Sequence, residues 1–134
     1  MAIEDLNVSG LEALDDNAPV TMVNLVKFST APAGGGDHGW PAYQKYSAGV
    51  IKLIKDCGGT VLWAGDVETV ALGKAADGDW NYVVLVQYPS RRAFLDMMTS
   101  EAYAKANEFR ILGADNHVIL ATRQSYSKMA AGAR

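Results

Sequence analysis

Arg110 is the side chain in this sequence best suited to hold an anion. It lies between Phe109 and Ile111 in a segment with helical spacing. A guanidinium beside an apolar cleft can grip a carboxylate through two parallel hydrogen bonds. The competing assignments are a structural ion pair with Glu101 or Asp66 and a solvated helix face. Asn24 is the polar exception in VTMVNLVKF, sharing a pleat face with Met22, Val26 and Phe28. A buried amide needs partners, so Asn24 is either a hydrogen-bonded structural group or one that orients a ligand. His117 is either a surface residue or a general base near neutral pH. His38 stands apart from it in a glycine-rich stretch, and two isolated imidazoles have no metal-ligand spacing.

Tyr43, Tyr46, Tyr88 and Tyr103 combine an apolar ring with a hydroxyl, and Tyr43 and Tyr46 are three apart on one helix face. Such residues either pack a core or line a pocket with a few hydroxyl donors. Asp66 and Glu68 at strand spacing project from one face, either as carboxylates paired for acid/base work or to hold a cation, or as the solvated end of a hairpin. Cys57 has no adjacent base and reads as a small core residue. The GGG run at 34–36 lacks the lysine and the strand-to-helix context of a phosphate cradle.

The elements that must position these groups follow from apolar periodicity. Val20 to Phe28 is apolar on both pleat faces and predicts a first strand covered on both sides. Residues 29–39 read as a loop. Pro41 suits the first turn of a helix, and Tyr43, Tyr46, Val50, Leu53, Ile54 and Cys57 recur at three- and four-residue steps until Gly58 and Gly59 stop it. Thr60 to Leu72 predicts a long strand with a break or bulge at Gly65, joined through GKAADGD to a strand that ends at Pro89. Ser90 then opens a helix carrying Phe94, Leu95 and Met98. Ser100 offers a cap for a second helix running to Gly113, separate from the first or continuous with it across a kink. Asn116 to Gln124 is the last strand. Ser9 and Glu12 have the spacing of a capping box for a short helix over residues 10–14.

The order βαββαβ is the ferredoxin-like, split βαβ arrangement of an α+β protein, with an antiparallel sheet and helices on one face. Residues 1–19 form an N-terminal extension with a short helix, 20–124 the domain, and 125–134 a tail. Strands apolar on both faces leave an uncovered face that a second copy of the chain would bury, so the expectation is a homodimer packed sheet on sheet.

With 134 residues, 49% hydrophobic, the chain is long enough to bury one core without metal or disulfide support. The net charge of −3, with basic residues dispersed among acidic ones, excludes a phosphate-backbone footprint, so no nucleic-acid partner is expected. One cysteine excludes an intrachain disulfide. The N-terminal residues lack the apolar region of a signal peptide, and no apolar run is long enough to span a bilayer, so a cytoplasmic location without membrane contact is expected.

The pieces MVNLVKF, Tyr43 to Tyr46, CGGTVLWAGD, VQYPSRRAFLDMM, SEAY and the Phe109–Arg110 pair resemble a branch of the Domain of Unknown Function 1330 family, with Gly58, Gly59, Pro89, Ser90 and Arg110 at its recurring positions. The resemblance runs from about Val20 to Gln124 and implies a dimeric α+β barrel. It assigns no reaction. Relatives in this branch tend to have histidine before the arginine; Phe109 stands there in this chain, so no imidazole can act at that point. Cofactor-independent monooxygenases of the same superfamily often place an Asn on the first strand and a Trp on a neighbouring strand near the pocket, and resemblance to them would give Asn24 and Trp63 those roles. Core packing is the plainer role for Trp63.

Together these readings give a small-molecule-binding protein with an apolar pocket between the sheet and the long helix. The candidate catalytic groups are Asn24, Arg110 and His117, and the candidate substrate-binding groups are Tyr43, Tyr46, Trp63, Tyr88 and Arg110. The protein is either a cofactor-independent oxygenase or isomerase acting on an aromatic or carboxylated metabolite, or a non-catalytic ligand-binding or protein-interaction module. No cofactor is expected, because the sequence offers neither clustered His/Cys ligands nor a phosphate-binding glycine turn. Untagged purified protein should therefore be colourless and metal-free by absorption spectroscopy and elemental analysis; stoichiometric metal, or a flavin or haem band surviving dialysis, would refute this.

Overall fold

The computed structural model describes residues 5–30, 39–74 and 79–129. His38 and the GGG run lie outside the described residues. The elements in order are α1 (Val8–Leu14), β1 (Val20–Phe28), α2 (Trp40–Asp56), β2 (Thr60–Asp66), β3 (Tyr82–Tyr88), α3 (Arg91–Met98), α4 (Glu101–Gly113) and β4 (Ala114–Thr122). The four strands form one antiparallel sheet in the order β2-β3-β1-β4. This is the α+β, ferredoxin-like arrangement expected from the element order.

Local chemistry explains each boundary. The side chain of Ser90 accepts a hydrogen bond from the Ala93 backbone N–H, and that of Ser100 accepts one from Tyr103, so each serine caps its own helix. α3 and α4 are thus separate helices. At the end of α2, Gly58 adopts φ +86°, its N–H donates to Lys55 O, and Gly59 N–H donates to Ile54 O at 2.7 Å. That is the left-handed stop a glycine allows, with the orphan carbonyls satisfied. The short N-terminal helix starts earlier than its sequence suggested. Asn7, rather than Ser9, is the cap, accepting from Gly10 N–H at 3.1 Å.

One face of the sheet packs on the helices. Val20, Met22 and Val26 of β1 and Val86 and Tyr88 of β3 are buried there against Tyr43, Tyr46, Val50 and Ile54 of α2, with Phe94, Met97, Met98 and Tyr103 from α3 and α4. α4 meets the start of α2 so closely that a Cβ at Gly113 would come within 2.6 Å of the Tyr43 backbone nitrogen. The approach brings Arg110, one turn earlier, beside the tyrosines of α2.

β2 departs from expectation in two ways. It ends at Asp66 rather than continuing to Leu72, and its irregularity falls between Val61 and Trp63 rather than at Gly65. Val61 pairs with Val86 on the helix-facing side, but after the bulge Trp63 pairs with Leu85 on the opposite face. One extra residue has reversed the alternation. Glu68 lies beyond the strand, so it does not share a strand face with Asp66.

The sheet face away from the helices carries Val23, Leu25, Val83, Leu85 and Val118, with Trp63 50% and Leu120 49% exposed. Among the described residues no helix is long and apolar enough to cross a membrane. Leu6 and Leu11 of the N-terminal segment pack against the core. The same segment is tied down by ion pairs from Glu12 to Arg92 and from Asp16 to Arg91 and Arg123.

Candidate functional site

A line of hydrogen-bonded polar side chains crosses the helix-facing side of the sheet. Asn24 on β1 and His117 on β4 are diagonal neighbours, Asn24 standing opposite Ile119 and His117 opposite Val26. His117 Nε2 lies 2.9 Å from Asn24 Oδ1, and Arg110 Nη1 lies 3.3 Å from His117 Nδ1. Arg110 Nε donates to Asn107 Oδ1 at 2.6 Å.

The guanidinium can only donate, so Nδ1 must accept, and the ring proton therefore sits on Nε2 and is donated to Asn24 Oδ1. The Asn24 amide nitrogen in turn donates to the carbonyls of Met22 and Val84, each at 3.3 Å. From Arg110 to the two carbonyls, each hydrogen bond of the line runs in one consistent direction.

Burial, reinforced by the Arg110 charge, drives the His117 pKa down to about 3. The ring is neutral at pH 7 with both nitrogens occupied. It is neither a surface residue nor, in this arrangement, a base poised near neutrality. Behind it, the hydroxyls of Tyr46 and Tyr103 share a hydrogen bond of 3.0 Å, and the Tyr46 ring meets the imidazole edge to face. Burial raises the pKa of both phenols, so they stay protonated.

Two cavities flank this line. The larger, about 660 Å³, has Arg110, Asn107 and Tyr103 of α4 in its wall, His117 and Ile119 of β4, Met22 of β1, and Asp5, Leu6, Asn7 and Leu11 from the N-terminal segment. The smaller, about 150 Å³, lies between α2 and the sheet and is lined by Asn24, Tyr43, Tyr46 and Tyr88 among apolar neighbours. Phe94, Met98 and Ile119 belong to both walls. The expected pocket under the long helix is thus present, but Arg110 and His117 face its neighbour. Trp63 lines neither cavity, because the bulge in β2 places it on the far side of the sheet.

Among the described residues no carboxylate pairs with Arg110, which removes Glu101 and Asp66 as partners. Nη2 takes part in neither of its hydrogen bonds to Asn107 and His117. Asn107, only 6% exposed, escaped the sequence reading. Its signal was the three-residue step to Arg110, which puts both on one helix face. No group of three His, Cys, Asp or Glu side chains among the described residues could hold a metal ion.

Fold and site together define a ferredoxin-like α+β protein with an arginine-bearing cavity beside a buried polar line. The chain belongs to the family described as domain of unknown function (DUF1330), whose model matches residues 39–123. No curated protein matches it in sequence. Among solved structures it is similar to a protein of unknown function from Rhodopseudomonas palustris, with 25% identity, 90% of this chain and 92% of that one covered, and a TM-score of 0.77. It is also similar in fold to a hydroxynitrile lyase from Passiflora edulis, with 12% identity, coverage of 83% and 99%, and a TM-score of 0.57. A dimeric protein of unknown function with a ferredoxin-like fold from Bacteroides fragilis matches with 8% identity, coverage of 79% and 96%, and a TM-score of 0.54.

Because the folded His117 pKa lies below the ordinary 6.5, its neutral form adds stability that is complete above 6.5 and is lost as pH falls toward 3. Within that window this residue makes unfolding easier by up to about 1.4 kcal/mol per pH unit of acidification. Replacing His117 with Gln should flatten the stability profile between pH 5 and 6.5 relative to wild type in urea titrations; parallel profiles would contradict the buried neutral ring.

Proposed function

We propose that this protein binds a carboxylated, largely apolar small molecule in its larger cavity and does so as a homodimer. The observation that carries the reading is Arg110. It is a half-buried cation in the cavity wall with no carboxylate partner among the described residues, held by Asn107 and His117 with Nη2 outside both bonds. A fixed guanidinium beside apolar walls loses little freedom when a carboxylate arrives. Met22, Phe94, Met98, Ile111 and Ile119 supply the apolar surface for the rest of the ligand.

A second reading, a cofactor-independent oxygenase or isomerase, is favoured by the coupling of Asn24, His117 and Arg110 into one hydrogen-bonded line. For His117 to take a proton, Arg110 would first have to release Nδ1, as a guanidinium drawn onto a substrate carboxylate could do. Tyr43, Tyr46 and Tyr88 belong to the smaller cavity and have no part in this step.

The dimer reading is supported by the apolar outer sheet face and by the solved neighbour described as dimeric. A cytoplasmic location completes the proposal, supported by the single unpaired Cys57.

Arg110→Ala should weaken binding of 3-phenylpropanoate, measured by calorimetry, by on the order of 1.5 to 3 kcal/mol while leaving the association state unchanged. Equal affinity in the variant would assign Arg110 a structural role. Sedimentation at micromolar concentration should give twice the 14.3 kDa chain mass, and Trp63→Asp combined with Leu120→Lys should give monomer. A wild-type monomer would remove the sheet-on-sheet dimer.

A further inference from the structure

The carboxylate reading leaves the smaller cavity unused, and two features set this cavity apart from a packing defect. Tyr43 and Tyr88 line it, at 5% and 4% exposure, yet among the described residues neither hydroxyl has a hydrogen-bond partner. Nor is either hydroxyl sealed off: the one fully enclosed, unpartnered side-chain polar atom among the described residues is Arg91 Nε. Both hydroxyls can be reached by water, so each is available to an occupant that replaces that water with a hydrogen bond of its own. The second feature is size. About 150 Å³ is the volume at which an apolar protein cavity admits a single benzene ring.

The remaining walls define what the occupant must be. Val50, Ile54, Val84 and Val86 are apolar, and no lining residue carries a formal charge. Asn24 reaches this cavity too, but its amide is committed to His117 and to the carbonyls of Met22 and Val84. The Tyr46 hydroxyl is engaged with Tyr103. The free hydrogen-bonding capacity therefore rests with the nearly fully buried Tyr43 and Tyr88 and with the half-buried Ser47 and Tyr82, and the first two are the groups set deepest. Tyr43 packs on Tyr82 at the start of β3, and Tyr88 closes the end of that strand against Phe94, so the two rings sit toward opposite ends of β3.

The geometry points to a second binding site, independent of Arg110, for a neutral molecule of about one ring's size bearing a single hydroxyl or carbonyl oxygen that bonds to Tyr43 or Tyr88. The anion cavity and this site share Phe94, Met98 and Ile119 as a partition.

Phenol and toluene, equal in shape and differing in the oxygen, test it in the full-length protein by methyl NMR. Phenol should perturb Val50, Ile54 and Val86 saturably and bind about fivefold tighter than toluene, the size of one net hydrogen bond. Tyr43→Phe or Tyr88→Phe, which keep the ring packing, should abolish that preference in one of the two variants. Ala64→Leu, at an exposed edge-strand position in the cavity wall, should block both probes. Perturbation confined to Ile111 and Leu120 would place phenol in the anion cavity and overturn the proposal. So would equal affinity for the two probes, a phenol preference that survives in both Tyr variants, undiminished binding in Ala64→Leu, or no saturable response at millimolar probe.

Discussion

The structure depends on how an apolar sheet face accommodates two polar side chains. Asn24 and His117 point into the core among Met22, Val26 and Ile119, where an unsatisfied amide or imidazole would cost more than any one packing contact returns. Their mutual hydrogen bond removes only part of that cost. The rest is met by the carbonyls of Met22 and Val84 on one side and by the Arg110 guanidinium on the other. Arg110 reaches His117 across the junction of α4 and β4, where α4 ends hard against α2 in an approach that requires Gly113. The helix crossing, the ring tautomer and the position of the cation are therefore one arrangement.

The same arrangement separates two chemical environments within a small domain. On the α4 side the line ends in a positive charge beside a roomy cavity. On the α2 side it ends in a neutral amide beside a narrow one. The imidazole between them is kept uncharged by burial and by the neighbouring guanidinium, so the positive charge stays on Arg110. A protonated His117 would put a second cation 3.3 Å from the first, and among the described residues no carboxylate pairs with either.

The parts of this that were legible in the sequence are those governed by short-range rules. β1 was readable to the residue because its apolar run is bounded by polar and loop residues, and the stop of α2 was readable because only glycine adopts the left-handed turn at Gly58 easily. Ser90 and Ser100 announced their own helices. What could not be read depended on partners distant in sequence. The bulge between Val61 and Trp63 is set by pairing with β3, and without it alternation carries Trp63 inward, where the structure does not place it. His117 read as either a surface residue or a general base, since its contacts with Arg110 and Asn24 are made only by the fold. Asn107 carried a local signal, its spacing from Arg110, but nothing to mark it as buried.

Part of the wall of the larger cavity comes from Asp5, Leu6, Asn7 and Leu11, whereas the family match begins at residue 39. The guanidinium and its supports lie inside the shared framework; the surface facing them across the cavity does not. That segment is held by ion pairs from Glu12 and Asp16, one of them to the buried Arg91, and by the packing of Leu6 and Leu11, and it contributes no strand to the sheet. The electrostatic anchor and part of the mould around it thus come from separate stretches of the chain, and the second of these plays no part in the sheet.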